Sequence, residues 1–121
     1  MFLMPGSRAI KRVTRLGNPA SQTQILVDGA TIVWDWRFGQ IAFITLTASG
    51  HTIASPLNFR PGAFSLYIIQ DATGSRTVSF GTFFKFPAGV APVLTTTAGA
   101  RDLISGICDG TKGSCTYVNN V

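Results

Sequence analysis

The chain has 121 residues, with ten Lys and Arg against five Asp, no Glu and one His, for a formal net charge of +5. That length builds one domain around one core and leaves no room for a second. Charged residues are only 12% of the chain and hydrophobic ones 45%, against roughly a quarter charged in an ordinary soluble domain, so a surface this poor in charge argues against a solitary monomer and for lasting contact with other protein.

Residues 1–19 read as an irregular arm broken by Pro5-Gly6 and Gly17-Asn18-Pro19. The arm holds Arg8, Lys11, Arg12 and Arg15 and no acid. Such a segment is either a solvated terminus or a strap for an acidic surface. Because the remaining cations and acids nearly balance, no continuous basic stripe is visible, and an acidic protein suits the arm better than nucleic acid. Met1-Phe2-Leu3-Met4 is too short and wrongly flanked for a secretory signal. No apolar run approaches the roughly 18 residues of a membrane span.

From residue 20 to residue 121 the pattern is that of one β-domain. Residues 22–27 and 31–36 read as strands on either side of an Asp28-Gly29 turn, and Phe38-Gly39 leads into residues 41–47. There Ile41, Phe43, Thr45 and Thr47 alternate with Ala42, Ile44, Leu46 and Ala48. Both faces carry apolar groups, so this strand is expected to be covered on one side by the core and on the other by a neighbouring subunit or sheet. Ser49-Gly50-His51 is a further turn before a short strand at 52–54, and Arg60-Pro61-Gly62 is another.

Residues 64–70 and 76–80 then flank a turn as a central hairpin, in which Gly74 takes a positive φ and the Asp71 side chain accepts backbone N–H groups. Arg76 or Arg101 can pair with Asp71 or Asp102. A loop over 88–92 and a short edge strand over 93–97 follow, and residues 101–108 and 115–119 form the last hairpin. Eight or nine short strands with regularly spaced turns give an all-β fold, an antiparallel β-sandwich of jelly-roll type behind the irregular arm.

Chemistry is scarce. One His, two cysteines and five scattered Asp supply no metal cluster, no nucleophile with its base and orienter, and no phosphate-cradling loop, so no metal, cofactor or catalysis is expected. His51 reads as a turn residue. Asp71 and Asp102 are the only carboxylates that could converge as a glycosidase pair, and both have structural readings. Cys108 and Cys115 flank residues 109–114 and could face each other across a hairpin; kept reduced in a cytoplasm, they act as free thiols and small apolar groups. Trp34 and Trp36 share a strand face by period-two spacing, which suits the core, a subunit interface or a sugar platform. Phe83 and Phe84 are consecutive, so one of them is expected to leave the core and pack on a neighbouring chain.

The run Gln70-Asp71-Ala72-Thr73-Gly74-Ser75-Arg76-Thr77-Val78, followed by Phe84-Lys85-Phe86-Pro87-Ala88-Gly89-Val90-Ala91-Pro92-Val93-Leu94-Thr95, resembles a small β-domain of tailed-bacteriophage virion proteins. That domain occurs at the C-terminal ends of tail-fibre proteins and in short stand-alone structural proteins. The resemblance begins near Ile32-Val33-Trp34-Asp35-Trp36 and extends through Asp102-Leu103-Ile104-Ser105 and Asp109-Gly110-Thr111, which is most of the chain.

It implies a structural virion protein, made in the host cytoplasm. The sequence adds the choice within it: with no direct nucleic acid and no membrane as partners, a small basic chain without a repetitive shaft is expected to be a capsid decoration, or cement, protein on the capsid exterior. It would be a homo-oligomer, most simply a trimer, with Arg8, Lys11, Arg12 and Arg15 lying along the major capsid protein. The alternatives are a tail-fibre or receptor-binding component and, from another class, a carbohydrate-cleaving tip domain.

Overall fold

The computed structural model describes residues 22–121; the arm 1–19, with Arg8, Lys11, Arg12 and Arg15, lies outside the described residues. The strands in chain order are β1 (Thr23–Ile25), β2 (Thr31–Ile32), β3 (Ile41–Leu46), β4 (His51–Ile53), β5 (Gly62–Gln70), β6 (Val78–Phe80), β7 (Phe84–Lys85), β8 (Arg101–Cys108) and β9 (Gly113–Val118). Short 3-10 turns stand at Trp36–Phe38 and Pro87–Gly89. Strands form where β-branched and aromatic residues alternate with smaller ones. Thus β3 turns Ala42, Ile44 and Leu46 inward, and β5 turns Phe64, Leu66 and Ile68 inward.

The pairing is not that of an antiparallel sandwich. β1, β3 and β5 lie side by side in parallel, and β2, β4 and β6 do the same in a second sheet. Successive strands alternate between the two sheets, so each circuit of the chain adds one strand to each. Thr23 stands beside Ile41 and Ile41 beside Ser65; in the second sheet Thr31 stands beside Thr52 and His51 beside Val78. A parallel bridge between Asp35 and Leu57 joins the circuits at a third place. This is the connectivity of a wound β-coil. Only β8 and β9 run antiparallel, β8 against β5 and β9 against β8, while β7 adds in parallel to β9. The result is a six-stranded mixed sheet in the order β1-β3-β5-β8-β9-β7 and a three-stranded parallel sheet, β2-β4-β6.

The jelly-roll-like antiparallel arrangement is therefore corrected to mixed sheets, and the cause is local. A two-residue hairpin at Asp28-Gly29 would need positive φ at its centre, whereas Gly29 is absent from the positive-φ positions of the backbone and the chain bends there toward the other sheet. The expected central hairpin is also a crossing. β5 pairs with β3 and β8 and β6 pairs with β4, so residues 71–77 are a corner between sheets.

At that corner Asp71 Oδ1 accepts from the backbone N–H of Thr73 at 3.1 Å and of Gly74 at 3.0 Å, and Arg76 donates to both carboxylate oxygens at 3.2 and 3.0 Å. Gly74 has φ +75°, and a Cβ on it would stand 2.6 Å from the Thr96 carbonyl oxygen. Backbone conformation and space both demand glycine there. Residues 93–97 form no strand; they are held from the side by Asp102, as described below.

The core is aromatic at its centre. Trp34, Trp36, Phe64 and Phe83 pack with ring centroids 5.3 to 6.1 Å apart, in the tilted and edge-on geometries that aromatic rings prefer. Gly113 makes room for them, since a Cβ there would stand 2.5 Å from Phe83 and 2.7 Å from Phe64. Buried glutamines satisfy the corners: Gln40 donates to Ala63 O at 2.9 Å, and Gln70 donates to Arg76 O at 3.0 Å and Thr95 O at 2.9 Å. Each supplies the hydrogen bonds that a bending backbone forfeits.

Candidate functional site

The chemistry-bearing side chains are occupied in holding the fold. Asp28 accepts from Thr47 N and Thr47 Oγ1, each at 2.7 Å, and faces His51 Nδ1 at 2.8 Å. Burial works against its charge, but these bonds outweigh that cost and hold its carboxyl below the usual range. His51, read as a turn residue, opens β4 and ties it to the bend after β1. Asp35 is held low chiefly by its bonds from Arg37, and it caps the Trp36–Phe38 turn by accepting from Arg37 N at 3.0 Å.

Asp71 and Asp102 are each held by donors of their own, one at the 71–77 corner and one beside residues 93–97. Bonds from Arg76 hold the Asp71 carboxyl low. Asp102 is 2% exposed and accepts from Thr95 N at 2.7 Å, Thr95 Oγ1 at 2.8 Å and Asn120 N at 2.8 Å. Burial opposes its charge, and those donors overcome it, so its carboxyl also lies below the usual range. A glycosidase acid needs the opposite shift. Asp109 accepts from Thr111 N and Lys112 N and closes the β8–β9 turn.

Cys108 and Cys115 are free, buried thiols. They do not face each other, because Cys108 stands opposite Gly113 and Cys115 opposite Gly106. Burial pushes the Cys115 thiol up to about 11, which keeps it protonated and unreactive. Among the described residues no three His, Cys or Asp gather as a metal-holding group. No described helix is long and apolar enough to cross a membrane.

The aromatic candidates for a subunit interface lie inside the chain's own core. Trp34 and Trp36 are fully buried, Phe83 is 3% exposed and Phe84 5%, so none is available to a neighbouring chain or a sugar. The two phenylalanines both point inward because Phe83 sits in a turn just before β7; strand alternation, which would have sent one outward, does not apply there.

Exposed apolar side chains gather elsewhere. Among the described residues β1 and β2 are the outermost strands of their sheets, and in both the next circuits stack on the same side, so these two edges share one end of the coil. Around that end Ile25 is 82% exposed, Val27 83%, Val33 51% and Phe38 61%. They rim an open hollow of about 350 Å³ walled also by Gln24, Asp28, Thr31 and Asp35. Gln24 closes its floor by donating to Asp35 O and Gly39 O, each at 2.8 Å. Sequence reasoning missed this end: its strands are too short to show period, and the exposed residues lie on separate elements.

A second surface is the outer face of the six-stranded sheet. Register places Ile25, Phe43, Tyr67, Leu103 and Val118 in one row across five strands. Phe43 and Tyr67 stack at 5.0 Å with 9° between their planes, and the Arg101 guanidinium lies 4.7 Å over the Tyr67 ring. The alternation at residues 41–48 announced the inner and outer apolar faces of β3, of which the inner is buried and the outer half-exposed.

No protein-family model, no curated protein and no solved structure matches this chain.

Proposed function

We propose that this protein is a structural component of a tailed-bacteriophage particle, a capsid decoration protein that binds the exterior of the major capsid protein lattice. The observation that carries the reading is the open end of the coil, where, among the described residues, two strand edges without a partner strand and four exposed apolar side chains surround a hollow. Unpaired edges invite addition of a partner strand, and exposed apolar rims invite burial. A shell protein presenting an extended segment satisfies both. The phage assignment itself comes from the resemblance in the runs 32–36, 70–78 and 84–95. A non-catalytic role fits carboxylates that are saturated by their own chain's donors.

The arm residues Arg8, Lys11, Arg12 and Arg15 add a salt-sensitive contact to an acidic shell in this proposal. The test is co-sedimentation with empty shells. Phe38→Asp and Val33→Asp, both exposed and outside the core, should abolish shell binding while leaving the melting temperature nearly unchanged. Wild-type binding by both variants would remove the open end as the docking surface.

A further inference from the structure

We propose that the outer face of the six-stranded sheet is a self-association surface that joins two copies of this chain about a two-fold axis running along β5. The inference does not rest on the virion reading. The row Ile25, Phe43, Tyr67, Leu103 and Val118 has Tyr67 at its centre, two strands from either end. An axis along β5, midway between two facing sheets, lays Phe43 over the partner's Leu103, Ile25 over the partner's Val118, and Tyr67 over its own copy. Every contact in the row is apolar on apolar. Ile69, one step along β5 beside Thr45 and Arg101, also meets its copy under this axis; an axis along the row would set it against Ser65.

Charge selects a second copy over a charged partner. The five strands of the row carry a single outward-facing ionised side chain, Arg101, whose guanidinium lies over the Tyr67 ring; the exposed Lys85 stands beyond them on the edge strand β7. A footprint with one cation and no acid offers an acidic or basic partner little to pair with. With strands about 4.8 Å apart and sheets about 10 Å apart, the backbones at Arg101 and its copy stand roughly 14 Å from each other. Arg101 opens β8 and is exposed, so the two guanidiniums lie at the rim of the pair, where water and salt screen their repulsion.

The size is also right for a modest dimer. Five strands of this length give a footprint of roughly 20 by 25 Å, so a pair removes about 1,000 Å² from water, the lower limit for a specific interface. The association is therefore expected in the micromolar range, with aligned sheets facing each other as in a sandwich. This two-fold pair takes the place of the trimer expected with the virion reading.

The measurement is multi-angle light scattering of the full chain over a micromolar dilution series, where the expected limiting mass is twice the 12.9 kDa of one chain. Ile25 and Val118 are 82% and 55% exposed, so neither substitution threatens folding. Ile25→Lys alone and Val118→Glu alone should each weaken dimerisation by roughly a hundredfold or more, because each places an unpaired charge in an apolar interface twice. The double variant Ile25→Lys/Val118→Glu should recover most of that loss, since the new cation of one copy meets the new anion of the other. A limiting mass of three chains, or a dimer indifferent to both single variants, overturns the proposal. So does a double variant no better than the singles. A full chain that stays monomeric while a chain lacking residues 1–21 dimerises would show that the preceding segment occupies the face, and would overturn it as well.

Discussion

Trp34 and Trp36 provide a controlled comparison, because they differ in one hydrogen bond and little else. Both are fully buried with ring centroids 5.6 Å apart. Trp34 Nε1 donates to Gly39 O at 3.0 Å, whereas Trp36 Nε1 is buried with no partner among the described residues. Replacing either by Phe removes the same ring volume and creates a cavity of similar size, so the cavity contribution largely cancels between them. What remains is the N–H. In Trp36→Phe an unsatisfied buried donor disappears, which recovers about 1 to 3 kcal/mol of desolvation. In Trp34→Phe a made bond disappears, which costs about 1 kcal/mol, and Gly39 O keeps its bond from Gln24 at 2.8 Å.

Trp34→Phe is thus expected to be the less stable variant by at least about 2 kcal/mol, on the order of 8 °C in Tm for a domain of this size. Urea unfolding followed by circular dichroism, with calorimetry as a check, reads both variants against the wild type. Equal losses, or a larger loss for Trp36→Phe, would refute the orphaned-donor reasoning. The comparison bears on the docking end because the Trp36–Phe38 turn anchors Trp36 in the core while presenting Phe38 outward.

Gly74→Val should cost about 2 kcal/mol or more from backbone strain alone, with a further clash against the Thr96 carbonyl, and a melting temperature within error of wild type would contradict the corner geometry. Asp28, Asp71 and Asp102 all have carboxyls held below their unfolded range, so their contribution to stability is complete above about pH 4 to 5 and is lost as pH falls through the lower folded values; urea midpoints measured from pH 7 to pH 2 should stay level and then drop, and a midpoint rising toward acid would oppose this sign. Cys108 and Cys115 should ignore a thiol reagent at neutral pH in the native protein and react together on unfolding, and fast native labelling of either would refute their burial. Particles lacking the protein should still adsorb to their host but release DNA at lower temperature; normal heat resistance with failed adsorption would move the protein to the tail.

Most strand positions were legible because side-chain alternation survives whatever the partner strand is, but residues 93–97, read as an edge strand, form none. The β8–β9 hairpin could be read from Asp109-Gly110 between two alternating runs, and the 71–74 corner from an acceptor side chain followed by a glycine. Pairing was not legible. A hairpin and a corner between sheets use the same turn residues, and the difference at Asp28-Gly29 lies in φ, which the dipeptide permits in either sign. Parallel neighbours are also one circuit apart in sequence, so nothing local marks Thr23 as the partner of Ile41. For the same reason the open end was invisible: its four apolar residues come from β1, the bends and the 3-10 turn, and only the winding brings them to one rim. Phe83 and Phe84 were misplaced because alternation was carried through a turn that breaks it.

The most direct test of the docking account is imaging of the intact particle to subnanometre resolution. The account predicts this domain on the capsid exterior at every equivalent lattice position, with the edges of β1 and β2 and the rim of Val27, Val33 and Phe38 against the shell. A domain found only at the tail, or one on the shell with that rim facing solvent, would contradict it.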